Sequence, residues 1–376
     1  MRDCVIVMST LNPLAHDLDH ILAHTEGLWE ELRGERLFIT GGTGFIGCWL
    51  VESFVWANQR LGLGASAVVL TRNPVGFRAK APHLAENPAV QLQPGDVRLF
   101  RFPEGEYPIV IHAATEPYFE PSPSQPLSAF DPNIEGTRRV LEFAASHGAR
   151  RFLLTSSGAV YGKQPSNMTH IPEDYSGAPA TTDTATAYGQ AKRASEFMST
   201  MYAQQHGFHA GIARCFAFVG PYLPLDANFA IGNFIRDALE GGPIVVKGDG
   251  TPYRSYLYAA DLAIWLWTIL LKGESCRPYN VGSPHDLTIA ELARTVVAAT
   301  APAIEISIGQ QAIQGTKPLR YVPSVQRAET ELGLQVWISM EEGIGQMWRW
   351  NQAMRQKIAR AEGTNEAELV GRAGNL

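Results

Sequence analysis

A glycine-spaced turn between a strand pattern and a helix pattern is the feature that most limits how this chain can fold. The apolar run Arg36–Thr40 leads into Gly41, Gly44 and Gly47, and an apolar helix pattern follows. Glycine at this spacing permits a tight turn, lets the backbone approach a pyrophosphate, and lets the helix pack closely on the strand. Since a helix N-terminus also favours an anion, the pattern predicts a dinucleotide-binding turn.

Strand and helix patterns alternate from this turn to about residue 215. Near-continuous apolar strands separated by helices are typical of a parallel sheet covered on both faces. The sequence therefore predicts an α/β fold, a Rossmann-type doubly wound parallel sheet with a smaller C-terminal substrate-binding lobe. The further strand patterns lie at 67–70, 90–92, 107–112, 151–155 and 210–215, and the helix patterns at 133–146 and 188–206.

Three segments are predicted along the chain. Residues 1–35 precede the first strand pattern, and their leucines and isoleucine recur at helical spacing, which indicates a helical extension. Residues 36–220 are expected to form the dinucleotide-binding domain. Residues 221–376 are broken by proline and glycine into shorter elements and are expected to form the smaller lobe, with some segments returning to the first domain.

Composition excludes several classes of protein. The 376 residues carry a net charge of −6, which disfavours a duplex nucleic acid partner. The four cysteines lie far apart without metal-type spacing, so we expect no metal and a reduced, cytoplasmic protein. The longest apolar run, 262–271, is too short to span a bilayer, and the first residues lack a secretory pattern, so no membrane association is expected.

Tyr188 and Lys192 stand four residues apart in a helix pattern and therefore share one helix face. A nearby ammonium favours the phenolate, so the spacing predicts a lowered pKa for Tyr188. Such a tyrosine can exchange a proton with a substrate hydroxyl. Ser157, at the end of the preceding strand pattern, is placed to hold the same oxygen. These three residues are predicted to be catalytic.

Five motifs together resemble a known family. They are GGTGFIG, VIHAA, the stretch Asn133–Thr137, TSSGAVYG and YGQAK. From about Arg36 to about Gln352, the chain resembles an extended short-chain dehydrogenase/reductase of the nucleotide-sugar epimerase/dehydratase group. The resemblance implies a nucleotide-diphosphate sugar as substrate and a bound nicotinamide cofactor that takes a hydride, usually from C4 of the sugar. It also implies that Tyr188 takes the hydroxyl proton and that Lys192 bonds the nicotinamide ribose.

The cofactor is predicted to be NAD or NADP, with a slight preference for NADP. Where an acidic residue usually contacts the adenosine ribose, the second strand ends in Thr71 and Arg72, and an arginine attracts a 2′-phosphate. The resemblance implies that Asp96 and Val97 flank the adenine. The full predicted cofactor set is Gly41, Gly44, Phe45, Ile46, Gly47, Thr71, Arg72, Asp96, Val97, Ala113, Ala114, Tyr188 and Lys192.

Glu116, Ser157, Asn233 and Arg254 are the predicted substrate contacts. The resemblance implies that Arg254 pairs with the diphosphate and that Asn233 contacts the nucleotide-sugar. Glu116 follows the fourth strand pattern, at the sheet edge where ligands bind, so a sugar-hydroxyl contact or an acid/base role is assigned to it. Simpler interpretations are a surface ion pair for Arg254, a helix cap for Asn233 and a solvated loop charge for Glu116.

Gly158 and Ala159 depart from the pattern of the 4,6-dehydratases that the chain resembles, which carry an aspartate and a glutamate there. Decarboxylases of the group have an acidic residue in the place of Ala159. Neither residue here has a transferable proton, so a 4,6-dehydration would need another donor. The small residues in this place look more like those of 4-epimerases and 4-ketoreductases, and the resemblance therefore favours a nucleotide-sugar 4-epimerase. An NADPH-dependent 4-ketoreductase, a decarboxylase and a dehydratase stay as alternatives. The alternative from a different class is a catalytically silent, dinucleotide-sensing protein.

A homodimer is predicted through the helix that bears Tyr188. Relatives in the group that the chain resembles pair such helices across a two-fold axis. Small and apolar side chains recur along this helix pattern and are suited to such pairing. They are Ala187, Ala191, Ala194, Phe197, Met198 and Met201.

Overall fold

The structure is a computed structural model that describes residues 12–115, 126–300 and 303–373. In these ranges the strands are β1 Arg36–Thr40, β2 Ser66–Thr71, β3 Val90–Pro94, β4 Ile109–His112, β5 Arg151–Ser157, β6 His209–Cys215, β7 Phe218–Val219, β8 Ile244–Val246, β9 Tyr253–Ser255, β10 Leu257–Tyr258, β11 Pro278–Val281, β12 Asp286–Thr288, β13 Ile306–Ile308 and β14 Arg320–Tyr321. The helices are α1 Ala15–His24, α2 Phe45–Leu61, α3 Pro74–Lys80, α4 Pro82–Ala85, α5 Leu127–Ser146, α6 Ala187–His206, α7 Ala230–Glu240, α8 Ala259–Lys272, α9 Ile289–Thr300, α10 Gln326–Leu332 and α11 Met340–Ala373.

Seven strands form the central sheet, in the order β11-β6-β5-β4-β1-β2-β3. Every neighbouring pair in this sheet is parallel. The predicted doubly wound parallel sheet is confirmed. The chain order reverses beside β1, and this is the place where open α/β sheets leave a crevice for a ligand.

Alternate residues of β1 enter two separate cores. Leu37 and Ile39 pack on the side of the sheet that carries α2 and α8. Phe38 packs on the other side, against Phe143 of α5 and among residues of α6. Because successive side chains of a strand point to opposite faces, a strand that is apolar at every position requires helices on both faces.

The smaller lobe follows β6. Strand β9 pairs with β12 and β14, β8 pairs with β13, and β10 pairs with β7. Strand β11 and helix α8 lie beyond residue 220 in sequence but belong to the sheet and its covering layer. The apolar run 262–271 is the buried centre of α8. In the described ranges, no helix has the length and apolarity that crossing a membrane would need.

Helix α1 packs its apolar face on α2 and α8 and adds two buried polar contacts. The Tyr258 hydroxyl donates to Asp17 Oδ2 at 2.7 Å, and His20 Nε2 lies 3.1 Å from Asp261 Oδ1. The Asp261 carboxylate also accepts the backbone N–H groups of Trp337 and Ile338. The predicted helix in the first 35 residues is therefore an integral layer of the fold.

Burial raises the pKa of Asp17 to about 6, although Tyr258 and two histidines oppose the rise. The native chain therefore holds the Asp17 proton more tightly than the unfolded chain. We expect the Asp17 contribution to the free energy of unfolding to fall as pH rises from about 4 through about 6, and Asp17→Asn to remove this contribution of about 1–3 kcal/mol from the pH dependence. Denaturant unfolding of both proteins across this pH range measures the difference. The exposed substitution Glu26→Gln is the control, and parallel wild-type and Asp17→Asn curves would contradict the prediction.

Candidate active site

The glycine turn lies against the end of β4. Gly41 has φ +71°, and a Cβ on it would stand 2.4 Å from the carbonyl carbon of Ala113 and from the amide nitrogen of Ala114. A Cβ on Gly47 would stand 2.1 Å from the Gly41 carbonyl oxygen. Both positions therefore require glycine, and the structure brings these four predicted cofactor residues together.

Helix α2 begins at Phe45, with Gly44 as its N-cap and no side-chain cap. The first backbone N–H groups of a helix lack partners within the helix and attract an anion. A cradle of glycines at an uncapped helix N-terminus fits a dinucleotide pyrophosphate. Phe45 and Ile46 lie in the first turn of this helix, which begins earlier than predicted, since the sequence placed both residues in the turn before it.

Arg72 and Asp96 approach each other beyond the end of β2. The Asp96 carboxylate accepts Arg98 Nε at 2.9 Å and Arg98 Nη2 at 3.1 Å. This contact, with a smaller effect of the Arg72 charge, holds the pKa of Asp96 below its usual value. Thr71 Oγ1 accepts the Asn73 N–H at 3.2 Å. Sequence reasoning missed Arg98, although its position two residues after Asp96 is a local signal.

Ser157, Tyr188 and Lys192 meet at the carboxyl end of β5. Lys192 Nζ donates to the Thr155 carbonyl at 3.0 Å and lies 5.8 Å from the centre of the Tyr188 ring. The Ser157 side chain has a hydrogen-bonding interaction with the Tyr188 phenol. Ser157 Oγ also accepts the Ala159 N–H at 3.1 Å, because Ser157 caps the short 3₁₀ helix Gly158–Tyr161.

Burial is the largest effect on the pKa values of Tyr188 and Lys192. It raises the pKa of Tyr188, while interactions with Ser157 and Thr115 oppose the rise. The expectation that Lys192 lowers the pKa of Tyr188 is therefore wrong for the chain alone, because desolvation of the phenolate dominates. Burial also lowers the pKa of Lys192 to about 8, opposed by the charges of Cys215 and Glu196.

A partly buried ion pair that the sequence analysis missed lies next to Lys192. Glu196 lies one helical turn after Lys192 and pairs with Arg214 Nη2 at 2.8 Å. Its carboxylate also accepts the Ser156 hydroxyl at 2.5 Å. Arg214 Nη1 donates to the Tyr161 hydroxyl at 2.9 Å. This network joins α6, β5, β6 and the 3₁₀ helix, and the four-residue spacing from Lys192 was the available signal.

His112 lies beneath the glycine turn. Its Nδ1 is 2.8 Å from Thr40 Oγ1 and its Nε2 is 3.1 Å from Thr137 Oγ1. Burial, with a smaller effect of the Lys192 charge, lowers the pKa of His112 to about 3. The imidazole is therefore neutral and links β1 to α5 rather than supplying a charge.

The structure places only some of the predicted substrate residues near Ser157. Arg254 lies on β9 in register with Tyr321, whose phenol interacts with Ser157, so Arg254 is near the reaction site. Asn233 lies in the first turn of α7, and its amide nitrogen, turned towards the loop, is 3.0 Å from the carbonyl oxygens of Leu225 and Ala227. Glu116 lies outside the described residues. In the described ranges, no group of three or more His, Cys, Asp or Glu residues could hold a metal ion.

A parallel sheet with this glycine turn, and with a serine, tyrosine and lysine at its carboxyl edge, defines an extended short-chain dehydrogenase/reductase. The sequence model of the NAD dependent epimerase/dehydratase family matches residues 37–282. The chain belongs to this family.

Curated relatives and solved structures are similar over most of the chain. UDP-glucuronic acid decarboxylase 5 of Arabidopsis thaliana is 30% identical over 310 residues, which are 82% of this chain and 87% of the relative. UDP-glucuronic acid decarboxylase 1 of Xenopus tropicalis is 28% identical to this chain, over a region that covers 82% of this chain and 70% of the relative. The crystal structure of UDP-glucose 4-epimerase with UDP-glucose from Thermotoga maritima has a TM-score of 0.71 at 21% identity, covering 85% of this chain and 99% of that one. An epimerase from Methanothermobacter thermautotrophicus has a TM-score of 0.75 at 21% identity, covering 90% and 98%.

Two glycines of the turn should differ in how much stability they lose when a methyl group is added. Gly47→Ala places its Cβ among backbone atoms that cannot withdraw, so we expect a loss of about 2–4 kcal/mol in the free energy of unfolding. In Gly44→Ala the nearest atom is 3.4 Å away, and the loss should be about 1 kcal/mol or less. Denaturant unfolding of the two variants tests the difference. Equal losses would contradict the predicted packing.

Proposed function

We propose that this chain is a nucleotide-sugar 4-epimerase, which oxidises the sugar at C4 and returns the hydride to the opposite face. The observation that carries the proposal is the meeting of Ser157 and Tyr188 at the carboxyl edge of the sheet, next to two residues without ionisable side chains, Gly158 and Ala159. A site of this kind can move the proton of a sugar hydroxyl. It offers no acid at positions 158 and 159 for the elimination of water.

Each residue has a defined task in this proposal. A bound nicotinamide cofactor supplies the hydride acceptor. Tyr188 takes the proton of the C4 hydroxyl, and Ser157 holds the same oxygen. Lys192, which is fixed by the Thr155 carbonyl, contributes a positive charge behind the tyrosine ring and is placed to bond the nicotinamide ribose. Since burial disfavours the phenolate, this charge and the cofactor's own charge favour proton transfer only when the site is loaded.

The nucleotide-sugar is supported by charge and by the relatives. The Arg254 guanidinium lies in the strand next to Tyr321 and is suited to pairing with phosphate oxygens. The curated relatives act on UDP-glucuronic acid, and the Thermotoga maritima epimerase structure contains UDP-glucose. We propose that Arg254 binds the diphosphate and that Asn233, at the start of α7, contacts the nucleotide-sugar. Glu116 is proposed as a sugar contact.

Decarboxylation is the second candidate, because the named relatives are UDP-glucuronic acid decarboxylases. Both reactions begin with the same oxidation at C4. In the second, the resulting keto acid loses carbon dioxide before the hydride returns. Incubation of the purified protein with UDP-glucose and with UDP-glucuronic acid, followed by mass spectrometry and NMR, separates them. Epimerisation leaves the substrate mass unchanged, decarboxylation removes carbon dioxide, and 4,6-dehydration removes water.

The cofactor distinguishes the epimerase from a 4-ketoreductase. An epimerase recycles its cofactor, so the protein should convert many equivalents of sugar without added dinucleotide. Stoichiometric consumption of NADPH would identify a reductase.

We propose NADP as the preferred form because Arg72 is exposed beside the predicted adenine site, and thermal shifts with NAD and NADP compare the two. A protein that binds dinucleotide but converts no sugar would support the sensing alternative.

Tyr188→Phe should lower kcat by about 10²- to 10⁴-fold, because it removes the group that carries the proton. Dinucleotide affinity should stay within about twofold, since the predicted pyrophosphate cradle is unchanged. Steady-state kinetics and titration calorimetry provide the two measurements. Tyr202→Phe, on the same helix but among residues remote from Ser157, is the matched control. An unchanged kcat in Tyr188→Phe would overturn the assignment.

We also propose a homodimer through α6. Phe197 is 66% exposed and Met201 is 42% exposed, and they lie one helical turn apart on this helix. A charge at Phe197 should break such an interface. We therefore expect light scattering to give a dimer for the wild type and a monomer for Phe197→Asp. Ile313→Asp, at a 74% exposed position of the smaller lobe, should stay dimeric, and a monomeric wild type would refute the proposal.

A further inference from the structure

Tyr321 reaches the reaction site from the smaller lobe. Strand β14 pairs in parallel with β9, and this pairing places Tyr321 opposite Arg254. The Tyr321 hydroxyl lies beside Gly158, the residue after Ser157, since a Cβ on Gly158 would stand 2.7 Å from Tyr321 Oη. An interaction with the Ser157 side chain opposes the rise in the pKa of Tyr321. The Tyr188 phenol interacts with the same side chain from α6. One serine hydroxyl therefore stands between two phenols that come from different parts of the fold.

The two lone pairs of the Ser157 oxygen limit how its hydrogen can point. A hydroxyl has one hydrogen to donate and two lone pairs to accept with. The Ala159 N–H takes one lone pair at 3.1 Å. If the Tyr321 hydroxyl takes the other, the Ser157 hydrogen is left to be donated to the remaining neighbour, the Tyr188 oxygen.

The two phenols differ in the ease with which they ionise. Burial raises the pKa of Tyr321, and a charge on Tyr188 raises it further. Arg254, in the neighbouring strand, opposes this rise, but it is the smallest of the effects on the pKa of Tyr321. Tyr321 therefore stays a neutral donor when Tyr188 gives up its proton. Among the residues that the structure describes, the charged and titratable groups near the two phenols include Lys192, Cys215 and Arg254.

The Tyr321 ring also closes the space above Gly158. A Cβ at position 158 would stand 2.7 Å from Tyr321 Oη and 2.7 Å from Phe216 Cζ. The two rings pack with their centres 4.7 Å apart. Position 158 therefore admits glycine alone while both rings are in place. This packing holds the Tyr321 hydroxyl beside Gly158, the residue that follows Ser157.

We propose that Tyr321 is a positioning residue of the reaction site: its hydroxyl donates to Ser157 and so directs the Ser157 hydrogen towards Tyr188. This role rests on the proposed function, in which the hydrogen bond from Ser157 to Tyr188 stabilises the Tyr188 phenolate while the sugar is oxidised. The orientation of Ser157 itself is a property of the protein alone. It can be tested with and without a substrate.

The test is a double-mutant cycle of Tyr321→Phe and Ser157→Ala. The phenolate absorbance of each protein, minus that of the same protein carrying Tyr188→Phe, gives the titration of Tyr188. Tyr321→Phe should move the Tyr188 titration to higher pH, by an amount equivalent to about a tenfold change in the ionisation constant. In the Ser157→Ala background the same substitution should have no further effect. An equal shift in both backgrounds, or none in either, would overturn the proposal.

Kinetics supply the second measurement. For the sugar that the wild type converts, Tyr321→Phe should lower kcat about tenfold and leave KM within about twofold, because phenylalanine preserves the packing above Gly158. Tyr256→Phe, a buried tyrosine two residues after Arg254, is the matched control and should change neither the Tyr188 titration nor kcat. A wild type without turnover would refute the proposed function while the titration still decides the role of Tyr321. Turnover in Tyr321→Phe equal to wild type would refute that role alone.

Discussion

The contact between the Gly41 turn and the end of β4 is the constraint on which the rest of the site depends. The turn can approach Ala113 and Ala114 this closely because Gly41 has no Cβ and adopts a positive φ. The approach sets α2 directly behind β1 and leaves its N-terminus open at the carboxyl edge of the sheet. Strand β4 pairs with β1 and β5 pairs with β4, so the ends of both strands lie near the turn, and Ser157 is the last residue of β5. The order of the strands therefore brings the glycine turn and the side chain of Ser157 to the same edge of the sheet.

Burial gives the reaction site a resting state that resists ionisation. Burial removes water from the charged forms of both groups, the Tyr188 phenolate and the Lys192 ammonium. The pKa of Tyr188 therefore rises and that of Lys192 falls. The partly buried pair of Glu196 and Arg214 supplies fixed charge one helical turn from Lys192. In a site of low dielectric, added charge from a bound ligand acts strongly on both groups. In the proposed function, proton transfer is therefore tied to occupancy of the site by the ligand.

Local patterns in the sequence predicted the sheet and led to the proposed catalytic residues, because strand period, helix period and glycine spacing are local properties. The neighbours from distant segments were missed. Tyr321 is brought near Ser157 by the pairing of β14 with β9, and no local pattern around residue 321 predicts this pairing. The direction of the Tyr188 pKa was predicted wrongly for the same reason, since desolvation is a property of the packed fold. Arg98 and Glu196 had local signals, as each stands at a short spacing from a predicted site residue.

The first helix is part of the folding unit although the family match begins at residue 37. Tyr258 and Asp261 lie at the start of α8, and both find polar partners on α1, Asp17 and His20. Without α1, a buried hydroxyl and a buried carboxylate oxygen would each lose a partner, and such losses cost about 1–3 kcal/mol apiece. Tyr258 also packs edge-on against Trp49 of α2, the helix that begins at the glycine turn. The extension therefore stabilises the helix on which the predicted cofactor site is built, and its sequence should vary together with that of α8.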